Sequence, residues 1–250
     1  MKTGKVFLTL CFSLITFISE SQIPSPPPPP PPPAPSGSGT VNKADSLLQA
    51  GRINAAVAEY RKLYSQNKNS REIIYNYACA LSRSGQTDSS LLYLYKAMKI
   101  EPSLSFLTDP DLLAARESKD WEDFENELIS TVNKRTDNSI RDTAYAKQLW
   151  RLLCLEESYF YEVGIAVRNL GPDSPVVTAL RRLQSWQNAK NLAEIEALLD
   201  SKGWPKRSQV GSLAASAAFF VLQHSNAGAQ EKYMGMFETA CRNNEGNCQQ

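Results

Sequence analysis

The 250-residue sequence has a single histidine, His224, and five cysteines. One imidazole excludes a metal centre built from several histidines of the same chain. No Cys-x-x-Cys pair occurs, and Cys79 and Cys154 stand far apart in sequence, which disfavours zinc. No Gly-x-Ser-x-Gly elbow is present to hold a nucleophilic serine. The sequence implies no metal and no cofactor. An excess of charge is missing too: 27 Lys and Arg face 26 Asp and Glu, and the basic residues are scattered in short pairs such as Arg181-Arg182 and Lys206-Arg207. That distribution lacks the electrostatic footprint of a nucleic-acid binder.

The longest apolar run, residues 6–18, is well short of the roughly 20 residues needed to cross a bilayer. With Lys2 and Lys5 before it and small Ser19 and Ser21 after it, the run reads as a secretory signal peptide, residues 1–21, cut before Gln22. Cys11 lies in mid-run without a small residue just before it, so a lipoprotein anchor is not expected. Cleavage would leave 25 acidic and 25 basic side chains and no membrane span. The expected location is the periplasm or the extracellular side of a bacterial envelope.

Residues 22–40 form a Pro-rich linker with eight consecutive prolines from Pro26 to Pro33. Such a run favours polyproline II, about 25 Å long at 3.1 Å per residue, and acts as a stiff spacer before a Ser-Gly hinge. A ligand for an aromatic-lined groove is the alternative. Four cysteines follow: Cys79, Cys154, Cys241 and Cys248. In an oxidising compartment "CRNNEGNC" is able to close a local Cys241–Cys248 loop, although sequence leaves the connectivity open.

The remaining chain predicts an all-α fold in two parts. Residues 41–135 show self-similarity at an offset of 34: Ala44 maps to Ala78, Leu47 to Leu81, Gly51 to Gly85 and Tyr60 to Leu94. Small Ala78 permits close helix approach, Gly85 permits the turn, and Pro102 stops the second helix. The second copy, "REIIYNYACALSRSGQTDSSLLYLYKAMKIEP", resembles a tetratricopeptide repeat and departs from that pattern at Ser90, where alanine is usual. A degenerate third unit is expected around Leu112, Trp121, Phe124 and Leu128. Tyr60, Tyr64, Tyr75, Tyr77, Tyr93 and Tyr95 are candidates for groove or core. Short arrays of this kind bind peptides or helices on one face, or cap a neighbouring domain.

In the second part, residues 136–250, apolar spacing from Ala146 through Leu149, Leu153, Phe160, Val163 and Val167 predicts one long amphipathic helix over residues 139–170. "GPDSP" ends it, and Asp173 or Ser174 is expected to cap the next helix. "NLAEIEALLDSKG" predicts a separate helix starting at Asn191, with Glu194 completing a capping box and Gly203 past the end. Ser208 is the expected N-cap of a helix over residues 209–224, about four turns long, central and buried, with Val210, Ala214, Ala217, Val221 and His224 on one face.

The run "GWPKRSQVGSLAASAAFFVLQH", followed by "QEKYMGMFETA", resembles the bacterial family filed as domain of unknown function 6624. The matching positions are Gly203, Trp204, Pro205, Val210, Gly211, Gln223, His224 and Gln230, and the resemblance covers roughly residues 144–250. It implies no established activity. Members of that family continue into a further helix and a Tyr-Gly tail, so a chain cut short at its C-terminus is expected here.

Trp204, Gln223, His224 and Gln230 are the candidate binding residues. His224 admits two roles. It either presents an imidazole for proton transfer or ligand binding, or closes its helix by bonding the last free carbonyls. The leading expectation is a secreted or periplasmic module that binds a protein or peptide on the repeat face. A hydrolase-type enzyme with His224 as general base and Gln223 orienting substrate is the alternative.

Overall fold

The computed structural model describes residues 41–135 and 140–246. The expected signal peptide, the Pro-rich linker, residues 136–139 and Cys248 lie outside the described residues. Among the described residues all regular structure is helical and no strand occurs, so the fold is all-α.

Helices α1 (Val41–Gln49), α2 (Ile53–Gln66), α3 (Arg71–Arg83) and α4 (Thr87–Ile100) pack each on the next. The 34-residue offset reappears in backbone geometry. Gly51 and Gly85 have φ of +74° and +77°, conformations that glycine adopts at no steric cost. The residues preceding α2 and α4, Arg52 and Gln86, have φ/ψ of −85°/59° and −87°/64°. Ala44, Ala78, Tyr60 and Leu94 are fully buried. Ser90, the departure from alanine, is also buried, and its hydroxyl donates to the Ala78 carbonyl at 2.8 Å. A satisfied hydroxyl of near-alanine size fits where small side chains let helices approach.

Two 3-10 turns, Leu104–Leu107 and Pro110–Leu112, lead into α5 (Leu113–Arg116) and α6 (Trp121–Asn133). This connection lies against α3. The Tyr75 hydroxyl donates to Asp109, the Ala115 N–H donates to Ser82 Oγ at 3.1 Å, and Arg83 pairs with Asp111 at 3.2 Å. The α3 face carrying Tyr75, Cys79, Ser82 and Arg83 is therefore covered by the chain itself. Leu112, Trp121, Phe124 and Leu128 are buried in the main core, which extends from Ile74 to Ala240. Each fully buried Leu or Phe contributes about 1.5–3 kcal/mol relative to exposure.

The second half departs from the periodicity in three places. The helix expected over residues 139–170 is two helices, α7 (Thr143–Glu156) and α8 (Phe160–Leu170), separated by Tyr159 at φ +66°. No proline or glycine marks this break. Instead the Ser158 hydroxyl bonds the Leu155 carbonyl at 2.6 Å, a local alternative to continuing the helix.

The helix expected to start at Asn191 begins sixteen residues earlier, as α9 (Pro175–Lys202). Ser174 caps it, accepting from the Val176 N–H, and Gly203 ends it at φ +76°. Asn191 sits in its interior, fully buried, as a hydrogen-bonding residue rather than a cap.

The four-turn helix ending at His224 is broken into α10 (Arg207–Ala215) and α11 (Ala217–Gln223), with a kink at Gly211 (φ +80°, ψ 162°). Ser208 is not its N-cap: Lys206 holds that place, and the Ser208 N–H and hydroxyl both donate to Glu245, at 2.9 and 2.7 Å. The kink lets the Gln209 carbonyl accept from Arg141 and Asp142. It also places Gly211 so close to Ile140 that a Cβ would lie 2.5 Å from Ile140 Cδ1. Val210, Ala214, Ala217 and Val221 are nonetheless buried, and α10 and α11 pack on α7. The last helix is α12 (Ala227–Arg242).

Candidate functional site: a glutamate-held histidine

His224 follows the last residue of α11. The helix C-terminus there exposes carbonyls that need donors. Gln230 of α12 supplies them: its Nε2 reaches the carbonyls of Leu222, Gln223 and Ser225 at 3.1, 3.2 and 3.2 Å. The Ser225 hydroxyl adds a bond to Leu222 at 2.6 Å. The closing role considered for His224 is thus filled by Gln230, which leaves the imidazole to point elsewhere.

It points at Glu156, the last residue of α7. His224 Nδ1 and Glu156 Oε1 are 2.8 Å apart. The Glu156 side chain is 4% exposed and the histidine 33% exposed. Glu156 Oε2 accepts from Asn191 Nδ2 at 2.8 Å, and Asn191 Oδ1 accepts from Gln187 Nε2 at 2.8 Å. Three helices, α7, α9 and α11, thereby join a chain of four polar side chains. Every oxygen of the buried carboxylate is bonded, the condition for keeping a charge away from water.

The carboxylate bonded to the ring holds the His224 pKa above its ordinary 6.5, against the opposing effect of partial burial. With Nδ1 engaged by Glu156, Nε2 is the nitrogen free to exchange protons, and among the described residues it has no protein partner. A carboxylate that fixes the tautomer and orientation of an imidazole is the arrangement used in general-base catalysis, and equally in structural ion pairs.

The α7–α8 break that positions Glu156 also opens a cleft of about 410 Å³. Ser158, Tyr159, Tyr161 and Glu162 line one side, Arg83 and Asp111 another, and Gln187 belongs both to the cleft and to the chain of bonds ending at His224. Arg83 bridges Asp111 and Glu162, each at 3.2 Å. Burial, then the neighbouring Asp109, push the Asp111 carboxyl up to about 7. Burial raises the Tyr161 hydroxyl to about 12.

Cys79, Asp109 and Asp111 place potential ligand atoms within 4.8 Å of one another. Their present partners explain the cluster without an ion. Asp109 accepts from the Tyr75 hydroxyl, the Cys79 thiol and the Asp111 N–H, and Asp111 pairs with Arg83. Burial pushes the Cys79 thiol well up, which opposes thiolate ligation. Cys154, distant in sequence, comes to the same place and donates to the Asp109 carbonyl at 3.3 Å.

Of the sequence candidates, the structure joins Gln223, His224 and Gln230 at the end of α11. Gln223 takes part through its carbonyl and is otherwise exposed. Trp204 packs elsewhere: its ring lies 5.3 Å from Phe237 and it is buried, and among the described residues its indole N–H has no partner. Cys241 is disulfide-bonded, and Cys248, its expected partner, lies outside the described residues. Glu156, Gln187, Arg83 and Asp111 escaped sequence reasoning. The one signal was the acidic "LEES" where an amphipathic helix was expected to continue. Compared with known protein families, curated proteins and solved structures, the chain has no match.

Proposed function

We propose that the chain is an exported bacterial scaffold, in which tetratricopeptide-like helix pairs and a C-terminal domain resembling domain of unknown function 6624 present a surface to a protein or peptide partner. The observation that carries this reading is an aromatic and cationic cluster on α2, α3 and α4. The Tyr64, Tyr77 and Tyr93 rings have centroids 4.6–6.3 Å apart. Lys96 Nζ stands 4.5 Å from the Tyr93 ring and donates to the Tyr64 hydroxyl at 3.1 Å, and Arg61 Nε donates to the Tyr77 hydroxyl at 3.3 Å.

Tyr64 and Tyr93 are half-buried and Arg61 is exposed. Tyrosine and arginine are enriched among the residues that dominate binding energy at interfaces, and the two cations suit a segment bearing carboxylates. The face of α3 beside Asp109 is already covered, so the partner surface is assigned to the α2–α4 side. Export rests on the signal-peptide pattern of residues 1–21.

Affinity capture from an envelope extract tests this reading. The wild type is expected to retain a partner that a Tyr93→Ala/Lys96→Glu variant of unchanged helicity retains at least tenfold less. No partner above an unrelated control, or equal retention by the variant, counts against it.

The second reading is a hydrolase-type enzyme with His224 as general base, favoured by the 2.8 Å Glu156 contact that orients the ring. A screen of ester and amide substrates with His224→Gln as control tests it. Turnover that survives the substitution removes His224 from any catalytic role.

A further inference from the structure

Helix α9 is 28 residues long, and its buried residues are Val177, Asn191, Ile195, Leu198 and Leu199. Large apolar side chains stand open to solvent on its other side: Val176 is 49%, Leu183 45% and Trp186 54% exposed. The exposed Ala179, Lys190, Ala193 and Ala197 complete a series spaced alternately by three and four residues. That spacing is the a/d seam of a coiled coil, sustained over about three and a half heptads. Among the described residues nothing covers it: Lys190 folds back over the Trp186 ring at 3.7 Å.

The charges along α9 are divided. Between Pro175 and Lys190 it carries Arg181, Arg182 and Lys190 and no carboxylate; beyond, it carries Glu194, Glu196 and Asp200 against Lys202. Two copies side by side in parallel would set like charges together, whereas two antiparallel copies set opposite charges together and oppose their helix dipoles.

We infer that the outer face of α9 is a self-association surface that pairs antiparallel with α9 of a second copy, centred near Ala189. In that register Leu183 faces the partner's Ala193, Ala179 faces the partner's Ala197, and Lys190 faces the partner's Trp186, so the leucine meets a small residue, two alanines permit close approach and the cation meets an indole. Arg182, on the flank of the seam, comes beside the partner's Glu196. Glu194 and Asp200 already have close partners, Arg151 at 2.9 Å and Lys232 at 3.1 Å, but among the described residues the Glu196 carboxylate makes only a 3.9 Å approach to Lys232. It is the acid best placed to take a new cation.

Sedimentation equilibrium of the full chain reads the association, and charge exchange reads its direction. The expected result is a twofold mass. Arg182→Glu or Glu196→Arg alone is expected to raise the dimer dissociation constant at least tenfold, and the two together to restore it. A single cysteine at Ala189 is expected to cross-link two copies through a short bis-maleimide, while one at Ala179 does not. A monomer at every soluble concentration overturns the inference. So does a dimer indifferent to the charge changes, or cross-linking at Ala179 as readily as at Ala189.

Discussion

His224 Nδ1 and Glu156 Oε1 meet at 2.8 Å across 68 residues of sequence, one at the end of α11 and the other at the end of α7. Glu156 raises the pKa of His224 in the folded chain above its unfolded value of about 6.5. Their attraction therefore stabilises the fold fully below about pH 6.5 and is lost as pH rises through the raised value. Urea midpoints of wild type and His224→Gln, measured from pH 5 to 9, are expected to lie furthest apart at the acid end and to converge on the alkaline side. A gap that widens with pH would show the opposite linkage. An NMR titration of the one imidazole is expected to give a midpoint above 6.5.

Asn191 holds the second oxygen of Glu156, and its loss leaves a buried carboxylate short of a donor. Asn191→Leu is expected to destabilise by about 1–3 kcal/mol, the cost of an unsatisfied buried polar group. It should also displace the His224 resonances, because the carboxylate that holds the ring is no longer fixed. Chemical denaturation and NMR spectra check the two effects separately.

Gly211→Ala meets two obstacles: a positive φ and the Ile140 Cδ1 atom 2.5 Å from the new Cβ. Together they are expected to cost about 2–4 kcal/mol. Ile140→Val removes that methyl group, so the Gly211→Ala/Ile140→Val pair is expected to recover part of the loss and leave the backbone strain, about 1–3 kcal/mol. A double-mutant cycle in urea measures the coupling, and additive losses would refute the clash.

Asp45 is buried, accepts from the Tyr60 hydroxyl, and among the described residues its other oxygen has no partner. Burial, then Glu72, push its carboxyl up to about 6, whereas Asn76 acts in the opposite direction. A raised acid pKa means that stability falls as pH rises from about 4 to about 6 and then levels. Asp45→Asn removes that fall, so its stability relative to wild type is expected to improve by about 1–2 kcal/mol over this window. Thermal midpoints at pH 4 and pH 7 check it.

Gln230→Ala strips three carbonyls of their shared donor. The expected loss is about 1–2 kcal/mol, with hydrogen exchange accelerated at the α11–α12 junction and little changed in α3 and α4.

What the sequence determined by itself is the information carried in spacing. The all-α fold, the helix pairs about Gly51 and Gly85, the buried Ala44 and Ala78, and the stop at Gly203 follow from apolar periodicity and from glycine's freedom at positive φ, both local properties of the chain. What tertiary structure decided is where helices break without a local signal and which polar residues meet. The turn at Tyr159 carries no proline or glycine, and Gly211 becomes a kink because Ile140 approaches there and the Gln209 carbonyl finds donors on Arg141 and Asp142. Asn191 has the sequence context of a cap, yet a continuous helix buries it, since an asparagine amide is more valuable bonded to the Glu156 carboxylate than free at a helix start. The Glu156–His224 contact was hidden for the same reason: a buried polar side chain is satisfied by whatever the fold brings within 3 Å, and that partner is set by the packing of α7, α9 and α11 rather than by neighbours in sequence.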